Sequence, residues 1–186
     1  LRDQNAGADA YNVAVGYEAG KVVTTGQYNV LLGSKAGDVL TTGSANIAIG
    51  QDALGGEDAH GRNVAIGHEA LKTQDAGADA YNIAIGYVAG KYMTTGVRNT
   101  LIGAHAGDAL TTGSYNVAVG YDALSTEDGD GRNTAVGYQA LLNQNAGADA
   151  YNVAVGFYAG TSITTGVRNV VMGGSAGDAI TTGASN

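Results

Sequence analysis

The sequence contains no cysteine, no proline and no tryptophan, and it has only one phenylalanine and three histidines among 186 residues. Without cysteine the chain has neither a disulfide framework nor a thiol nucleophile. Three histidines supply little material for a zinc centre. Basic residues are also scarce, with nine Lys and Arg against 17 Asp and Glu and a net charge of −8. This balance argues against nucleic-acid binding, which needs basic patches. No apolar stretch reaches the roughly 18 residues of a membrane-spanning helix.

Glycine is abundant, with 31 residues, and 44% of the chain is hydrophobic. Glycine without proline and without a three-residue period excludes collagen. The hydrophobic fraction is too high for a disordered tail. Glycine at this density also leaves no helical period of 3.6 residues.

An Asn-x-x-x-Gly motif recurs through the chain at spacings of 17, 17, 17 and 19 residues, and this series then repeats. The resulting super-repeat has 70 residues. Residues 12–81 and 82–151 are full copies, residues 152–186 are half of a third, and residues 1–11 match the end of a unit. We interpret the chain as a single repeat array and expect it to be a fragment of a longer one. The motif asparagines are Asn12, Asn29, Asn46, Asn63, Asn82, Asn99, Asn116, Asn133, Asn152 and Asn169.

The residues after each motif asparagine predict a short strand. The first is β-branched, the third is large and apolar, and Gly closes the segment, as in Val13-Ala14-Val15-Gly16. Units of 17 residues are too short for a helix pair and cannot bury a core alone. We therefore predict an all-β fold, a parallel β-solenoid or β-roll of 17- and 19-residue coils. Each coil would have two short strands and would stack about 4.8 Å from the next.

The invariant asparagines are predicted to form a hydrogen-bonded ladder along one line of the rod. The two extra residues of the 19-residue units, near residues 78–81 and 148–151, are predicted to loop outward without shifting that line.

The second position after each asparagine is apolar in every unit, although regular alternation points it away from positions one and three. A solvent-facing strand position is expected to vary and to carry charge. We therefore predict that the large side chains at positions one and three fill the coil. The second position would be buried against partner chains as the oligomer interface. That row comprises Ala14, Leu31, Ala48, Ala65, Ala84, Leu101, Ala118, Ala135, Ala154 and Val171.

The run Asn-Thr-Ala-Val-Gly-Tyr-Gln-Ala-Leu at 133–141, together with the Thr-Thr-Gly triplets that precede several motif asparagines, resembles the repeats of phage tail-fibre proteins. The Asn-x-Ala-Ile-Gly motif is also similar to that of YadA-like trimeric adhesin heads. The resemblance covers essentially the whole chain and implies a parallel homotrimer of β-rolls. The coil lengths here differ from the shorter adhesin coil.

No residue pattern indicates a catalytic site or a cofactor, so the sequence is not expected to be an enzyme. The three histidines, His60, His68 and His105, do not recur at the 70-residue offset. The best metal candidates are the acidic residues Glu127, Asp128 and Asp130, whose oxygen density suits calcium. Solvated acidic turns are the simpler interpretation.

Two further surface features allow alternative functions. The Thr-Thr-Gly triplets suggest ice binding, but threonine pairs occur on only two units in four. Exposed aromatic residues could stack on sugar rings, although covering coil joints is the simpler role. They are Tyr17, Tyr87, Tyr121, Tyr138 and Phe157 after the motif glycine, and Tyr11, Tyr81 and Tyr151 before the asparagine.

The sequence therefore predicts a structural or adhesive fibre segment. The first hypothesis is a viral tail fibre or spike shaft that supports host-receptor attachment, located on the virion. Its partners would be further copies of itself and a glycan or protein receptor on the host. A bacterial trimeric surface adhesin or extracellular filament is the first alternative. An ice- or calcium-binding β-solenoid is the second.

Overall fold

The computed structural model describes residues 2–5, 7, 9–129 and 131–186. Within these residues the chain forms a parallel β-solenoid without helices. Each coil contributes one strand of three residues directly after its motif asparagine. The strands are β1 (Val13–Val15), β2 (Val30–Leu32), β3 (Ile47–Ile49), β4 (Val64–Ile66), β5 (Ile83–Ile85), β6 (Thr100–Ile102), β7 (Val117–Val119), β8 (Thr134–Val136), β9 (Val153–Val155) and β10 (Val170–Met172).

The ten strands form one parallel sheet in sequence order, and equivalent positions pair in every neighbouring coil. The prediction of two strands per coil is wrong, because the remainder of each described coil contains no further strand. The sixth position after each asparagine has φ between 51° and 59°, for example 56° at Glu18 and 52° at Val88. Backbone in this left-handed region bends the chain and cannot extend a second strand.

The motif asparagines form the predicted line along the solenoid. The main-chain N–H of each one, from Asn29 to Asn169, donates to the side-chain Oδ1 of the preceding one at 2.8–3.1 Å. Several side-chain Nδ2 groups also donate to a glycine carbonyl 14 residues ahead, as Asn29 does to Gly43 at 2.9 Å. The ladder therefore joins side chain to main chain, and it satisfies polar groups that are buried inside the solenoid.

The second strand position lies inside the chain's own solenoid. Leu31, Leu101 and the alanines at this position from β3 to β9 have no exposed surface and belong to the hydrophobic core. The assignment of the row Ala14, Leu31, Ala48, Ala65, Ala84, Leu101, Ala118, Ala135, Ala154 and Val171 to an oligomer interface is therefore wrong. The large residues at strand positions one and three face outward instead, as the alternating burial of the strands shows.

The core is filled by four positions of each coil, the second, seventh, eighth and eleventh after the asparagine, and the seventh is always Ala. In coils whose second position is Leu, the eighth position is Gly. A side chain would not fit there, because a Cβ at Gly107 would lie 2.8 Å from a methyl group of Leu101. Where the second is Ala, as at Ala118, the eighth is Leu in four coils, and Leu124 there is fully buried. Leu124 adopts a left-handed φ of 55°. Burial of its side chain compensates for that strain, which costs roughly 1–2 kcal/mol.

The eleventh position is apolar in most coils but polar in the coils whose leucine comes from position eight. It is Glu57 and Gln74 in the first super-repeat and Glu127 and Gln144 in the second, all with no exposed surface. The solenoid interior therefore carries a polar pair at a 70-residue interval. This pair is next to the asparagine ladder: Gln74 Oε1 accepts a hydrogen bond of 3.0 Å from Asn82 Nδ2.

The two extra residues of each 19-residue coil lie on the outside, as predicted. Strands β4 and β5 remain in register although Val64 pairs with Ile83 across 19 residues. The main-chain N–H of Asp75 donates to the carbonyl of Thr94, which is its equivalent in the next coil. The main-chain N–H of Ala80 donates to the carbonyl of Gly61 in the preceding coil, and at this point the chain has gained two residues relative to that coil. The insertion therefore lies between residues 75 and 80. A Cβ at Gly77 would have nothing within 4 Å, so this loop projects from the coil.

Candidate interaction surface

The most prominent surface of the described residues is the outer face of the sheet. It is formed by strand positions one and three, all of which are apolar except Thr100 and Thr134. The exposed fraction is 38% at Ile83 and 37% at Ile102 in the middle of the sheet. We call this set the outer sheet face. Its residues are Val13, Val15, Val30, Leu32, Ile47, Ile49, Val64, Ile66, Ile83, Ile85, Thr100, Ile102, Val117, Val119, Thr134, Val136, Val153, Val155, Val170 and Met172.

The outer sheet face is large for a surface exposed to water. Ten strands spaced about 4.8 Å apart and three residues wide give a strip of about 45 Å by 10 Å. Soluble monomers rarely expose contiguous apolar patches above a few hundred Å², and larger patches mark interaction sites. The strip contains no charged side chain. Its size and composition are those of an interaction surface.

Aromatic rings line the chain just after the strands. Tyr121 stacks on Tyr138 at a centroid distance of 5.5 Å, and Tyr138 stacks on Phe157 at 5.3 Å. Towards the first coils the series continues through His105 and Tyr87 at 5.6–5.9 Å, and then to His68 at 5.3 Å. Two of the three histidines therefore belong to an aromatic ladder that crosses coil boundaries. These rings remain partly exposed. Their contacts join successive coils, which favours a role in covering the coil joints over a role in sugar binding.

A second series precedes the strands and combines tyrosine with arginine. The guanidinium of Arg62 lies 5.5 Å from the ring centroid of Tyr81, and Arg98 is equally close to the ring of Tyr115. Arg132 lies between the rings of Tyr115 and Tyr151. Arg62 and Arg132 also form ion pairs with Asp79 and Asp149 of the next coil. The contacts run from coil to coil, so they stabilise stacking of the solenoid.

The threonine triplets also join neighbouring coils. The first threonine hydroxyl donates to a main-chain carbonyl one coil ahead, from Thr94 to Thr111 at 3.1 Å and from Thr111 to Asp128 at 2.8 Å. Thr24 and Thr41 make the same type of contact in the first super-repeat. These hydroxyls act within the solenoid, which favours a structural role for the triplets.

Among the residues that the structure describes, the calcium candidates of the second super-repeat do not form a cluster of potential metal ligands. Glu127 is buried at an interior position, and its Oε2 accepts a hydrogen bond of 3.4 Å from Asn133. Asp128 is exposed, and its main-chain carbonyl accepts hydrogen bonds from Thr111. Asp130 lies outside the described residues. Glu127 was not predicted to be a core residue, because its neighbours in sequence are acidic or small.

The corresponding turn of the first super-repeat does bring ligand-type atoms together. Glu57, Asp58, His60 and Asp75 each place one potential ligand atom within 4.8 Å of the others. Glu57 is fully buried, and this burial raises the pKa of its carboxyl group. Asp58 and Asp75 are exposed, and His60 is intermediate. This group was missed in the sequence, because Asp75 belongs to the next coil and is distant from Glu57, Asp58 and His60 along the chain.

Comparison of the chain with family models, with curated proteins and with solved structures found no match. Among the described residues no helix has the length and apolar character needed to cross a membrane.

Proposed function

We propose that this chain is a shaft segment of a self-associating structural fibre, and that copies of it pack in parallel through the outer sheet face. The observation that carries the proposal is the uncharged strip along all ten strands, which is apolar at every position except Thr100 and Thr134. Each coil adds the same three-residue strand at the same register. A fibre built in this way sets its length by the number of coils.

Burial of the strip requires parallel association with the coils of each chain at the same height. Strand positions one and three then contact the equivalent positions of the partner chains, so that Val64 of one copy packs against Val64 of another. This arrangement covers every coil of the strip at once, whereas an antiparallel or shifted arrangement would leave part of it in water. A trimer around a common axis is the arrangement implied by the resemblance of the repeats to trimeric fibre proteins.

The role of such a shaft is mechanical. Ten coils at about 4.8 Å form a rod on the order of 50 Å long. The lateral edges of the strands are paired with neighbouring coils, which leaves few free strand edges along the rod. Such a rod can hold an attachment site away from a surface. We propose a tail fibre or spike of a virus that attaches to a host as the most consistent setting, on the strength of the Asn-Thr-Ala-Val-Gly-Tyr-Gln-Ala-Leu and Thr-Thr-Gly repeats.

Light scattering coupled to size-exclusion chromatography tests the association. The wild-type chain at micromolar concentration is expected to have the mass of three chains, each of 18.5 kDa. Ile85→Asp places a charge in the middle of the outer sheet face, and we expect this variant to elute as a folded monomer. The aspartate stays hydrated in the monomer because the side chain is partly exposed there, whereas in the trimer three charges would be buried near the axis.

Thr95→Asp is the matched control, since it adds the same charge at an exposed turn residue outside the strands. It should leave the trimer intact. Circular dichroism of all three proteins should show the same β content. A wild-type chain that is a stable monomer, or an Ile85→Asp variant that still forms a trimer, would overturn the proposed use of this face.

A further inference from the structure

The group Glu57, Asp58, His60 and Asp75 joins two successive coils. Glu57, Asp58 and His60 belong to the turn that ends the third coil, and Asp75 belongs to the fourth coil, just before its outward loop. The four potential ligand atoms lie within 4.8 Å of one another. Among the residues that the structure describes, this is the one group of three or more His, Cys, Asp or Glu side chains with such spacing.

Glu57 is an unusual residue for its position. The equivalent position of the second coil is Leu40, which is fully buried, and Glu57 is buried to the same extent. Its Oε1 accepts a hydrogen bond of 2.9 Å from the main-chain N–H of His60, while its Oε2 has no hydrogen-bond partner. Burial of a carboxylate without full compensation is costly. The nearby carboxylates of Asp58 and Asp75 add to the negative charge and provide no compensation.

His60 adds a second unpartnered atom to the same group. Its Nδ1 is buried, has no hydrogen-bond partner, and lies 3.5 Å from Glu57 Oε1. Two ligands of a tetrahedral zinc ion, each at about 2.0–2.1 Å from the metal, lie about 3.3 Å apart. The distance between these two atoms therefore already approaches one edge of such a coordination sphere. The carboxylates of Asp58 and Asp75 are exposed and can complete it by side-chain rotation.

We propose that Glu57, Asp58, His60 and Asp75 bind one divalent transition-metal ion of the Zn²⁺ type. The imidazole nitrogen decides the class of cation, because calcium and magnesium take oxygen ligands whereas imidazole suits zinc, cobalt and nickel. The bound ion neutralises the buried carboxylate of Glu57 and ties the third coil to the fourth. This function is additional to fibre formation and does not depend on the oligomeric state.

The second super-repeat supplies an internal comparison in the sequence. The equivalents of Glu57 and Asp58 are again Glu and Asp, but His60 is replaced by Asp130 and Asp75 by Asn145. That turn lacks the imidazole, and an amide stands where the first super-repeat has the carboxylate of Asp75. The proposal therefore requires one ion per chain and assigns it to the first super-repeat.

Titration calorimetry of the chelator-treated chain with Co²⁺ and Zn²⁺ tests the proposal, with the visible spectrum of bound Co²⁺ reporting its coordination. We expect one ion per chain and the absorption of four-coordinate Co²⁺. His60→Asp, which copies the second super-repeat, should weaken binding by at least about 100-fold, and Asp75→Asn by at least about tenfold. His68→Asp is the matched control, since His68 lies in the aromatic ladder, and it should bind as the wild type does.

A gain-of-function variant makes the test independent of any folding defect in the His60 variant. The double substitution Asp130→His with Asn145→Asp rebuilds the four ligands in the second super-repeat and should raise the stoichiometry to two ions per chain. The proposal is overturned if the wild type binds no ion, if His60→Asp binds as tightly as the wild type, or if Ca²⁺ binds more tightly than Co²⁺. It is also overturned if the double variant still binds one ion while remaining folded by circular dichroism.

Discussion

Replacement of Asn82 by alanine tests how much of the stability comes from the asparagine ladder. Asn82 has no exposed surface. Its Oδ1 accepts from the main-chain N–H of Asn99 at 2.9 Å, and its Nδ2 donates to the carbonyl of Gly96 at 2.8 Å and to Gln74 Oε1 at 3.0 Å. Asn82→Ala removes all of these bonds and leaves three buried polar groups without a partner.

The expected loss follows from those three groups. Each buried donor or acceptor left unsatisfied costs about 1–3 kcal/mol. Local relaxation recovers part of this, so we expect the free energy of unfolding to fall by about 4 kcal/mol, a large fraction of the roughly 5–15 kcal/mol of a typical domain. For a chain of this length, that corresponds to a decrease in the melting temperature of about 8–16 °C.

Calorimetric or circular-dichroism melting at a fixed protein concentration measures this change, since any self-association makes the melting temperature depend on concentration. Asn143→Ala is the control: Asn143 is exposed and makes a hydrogen bond to the carbonyl of Thr161 at 2.7 Å. Its effect should stay within about 0.5 kcal/mol. If Asn82→Ala melts within a degree or two of Asn143→Ala, the ladder is not a source of stability and the reasoning fails.

Three further changes test other parts of the fold. Gly120→Ala should prevent stable folding, because its φ is 142° and a Cβ would collide with the glycine carbonyl of the next coil; Gly77→Ala, in the open loop, should lower the melting temperature by only a few degrees. Leu101→Ala should cost about 2–5 kcal/mol in a monomeric background as well, because Leu101 fills the chain's own core. Glu69 receives hydrogen bonds from two lysines that lower its pKa to about 2. Its contribution to stability is present above the ordinary pKa of 4.5 and is lost as the pH falls towards 2. The free energy of unfolding of Glu69→Gln should therefore fall less steeply than that of the wild type as the pH decreases from 4.5 to 2. The same pH dependence in both proteins would refute this role.

The repeat spacing was sufficient to predict the coil, the register and the asparagine ladder. These features follow from identical offsets, which stack identical residues whatever the cross-section of the coil. The outward loop of the 19-residue units was predicted for the same reason: two extra residues cannot enter a ladder that keeps its register.

The direction of the strand side chains was predicted wrongly. The largest residues were expected to fill the core, which placed Val64 and Ile66 inside the coil. The coil is too narrow for this, and its interior holds Ala65 together with residues at the seventh, eighth and eleventh positions. The second and eighth positions after the asparagine could have corrected the assignment. They are Leu101 and Gly107 in one coil but Ala118 and Leu124 in the next, so a large residue at one position accompanies a small residue at the other. Such compensation in volume indicates that both side chains occupy the same interior space.

The candidate site was only partly accessible from the sequence. Glu57 and Asp58 are adjacent in the chain, but Asp75 comes from the next coil, and the turn geometry that brings it close is set by non-glycine residues in the left-handed region. Leu54 and Leu71, which closely precede Glu57 and Asp75, adopt φ values of 53° and 49°. Their chemical types do not indicate this conformation, which is rare outside glycine and asparagine.

The loop at Gly77 shows that a coil can gain residues without any change in the stacking of the strands. Strands β4 and β5 stay paired across it, and the equivalent loop at Gly147 also projects into open space. The two loops are four coils apart, or about 19 Å along the axis. Peptides inserted at both points would therefore be displayed as a row with fixed spacing, and the display distance could be changed in steps of about 4.8 Å by choosing another coil.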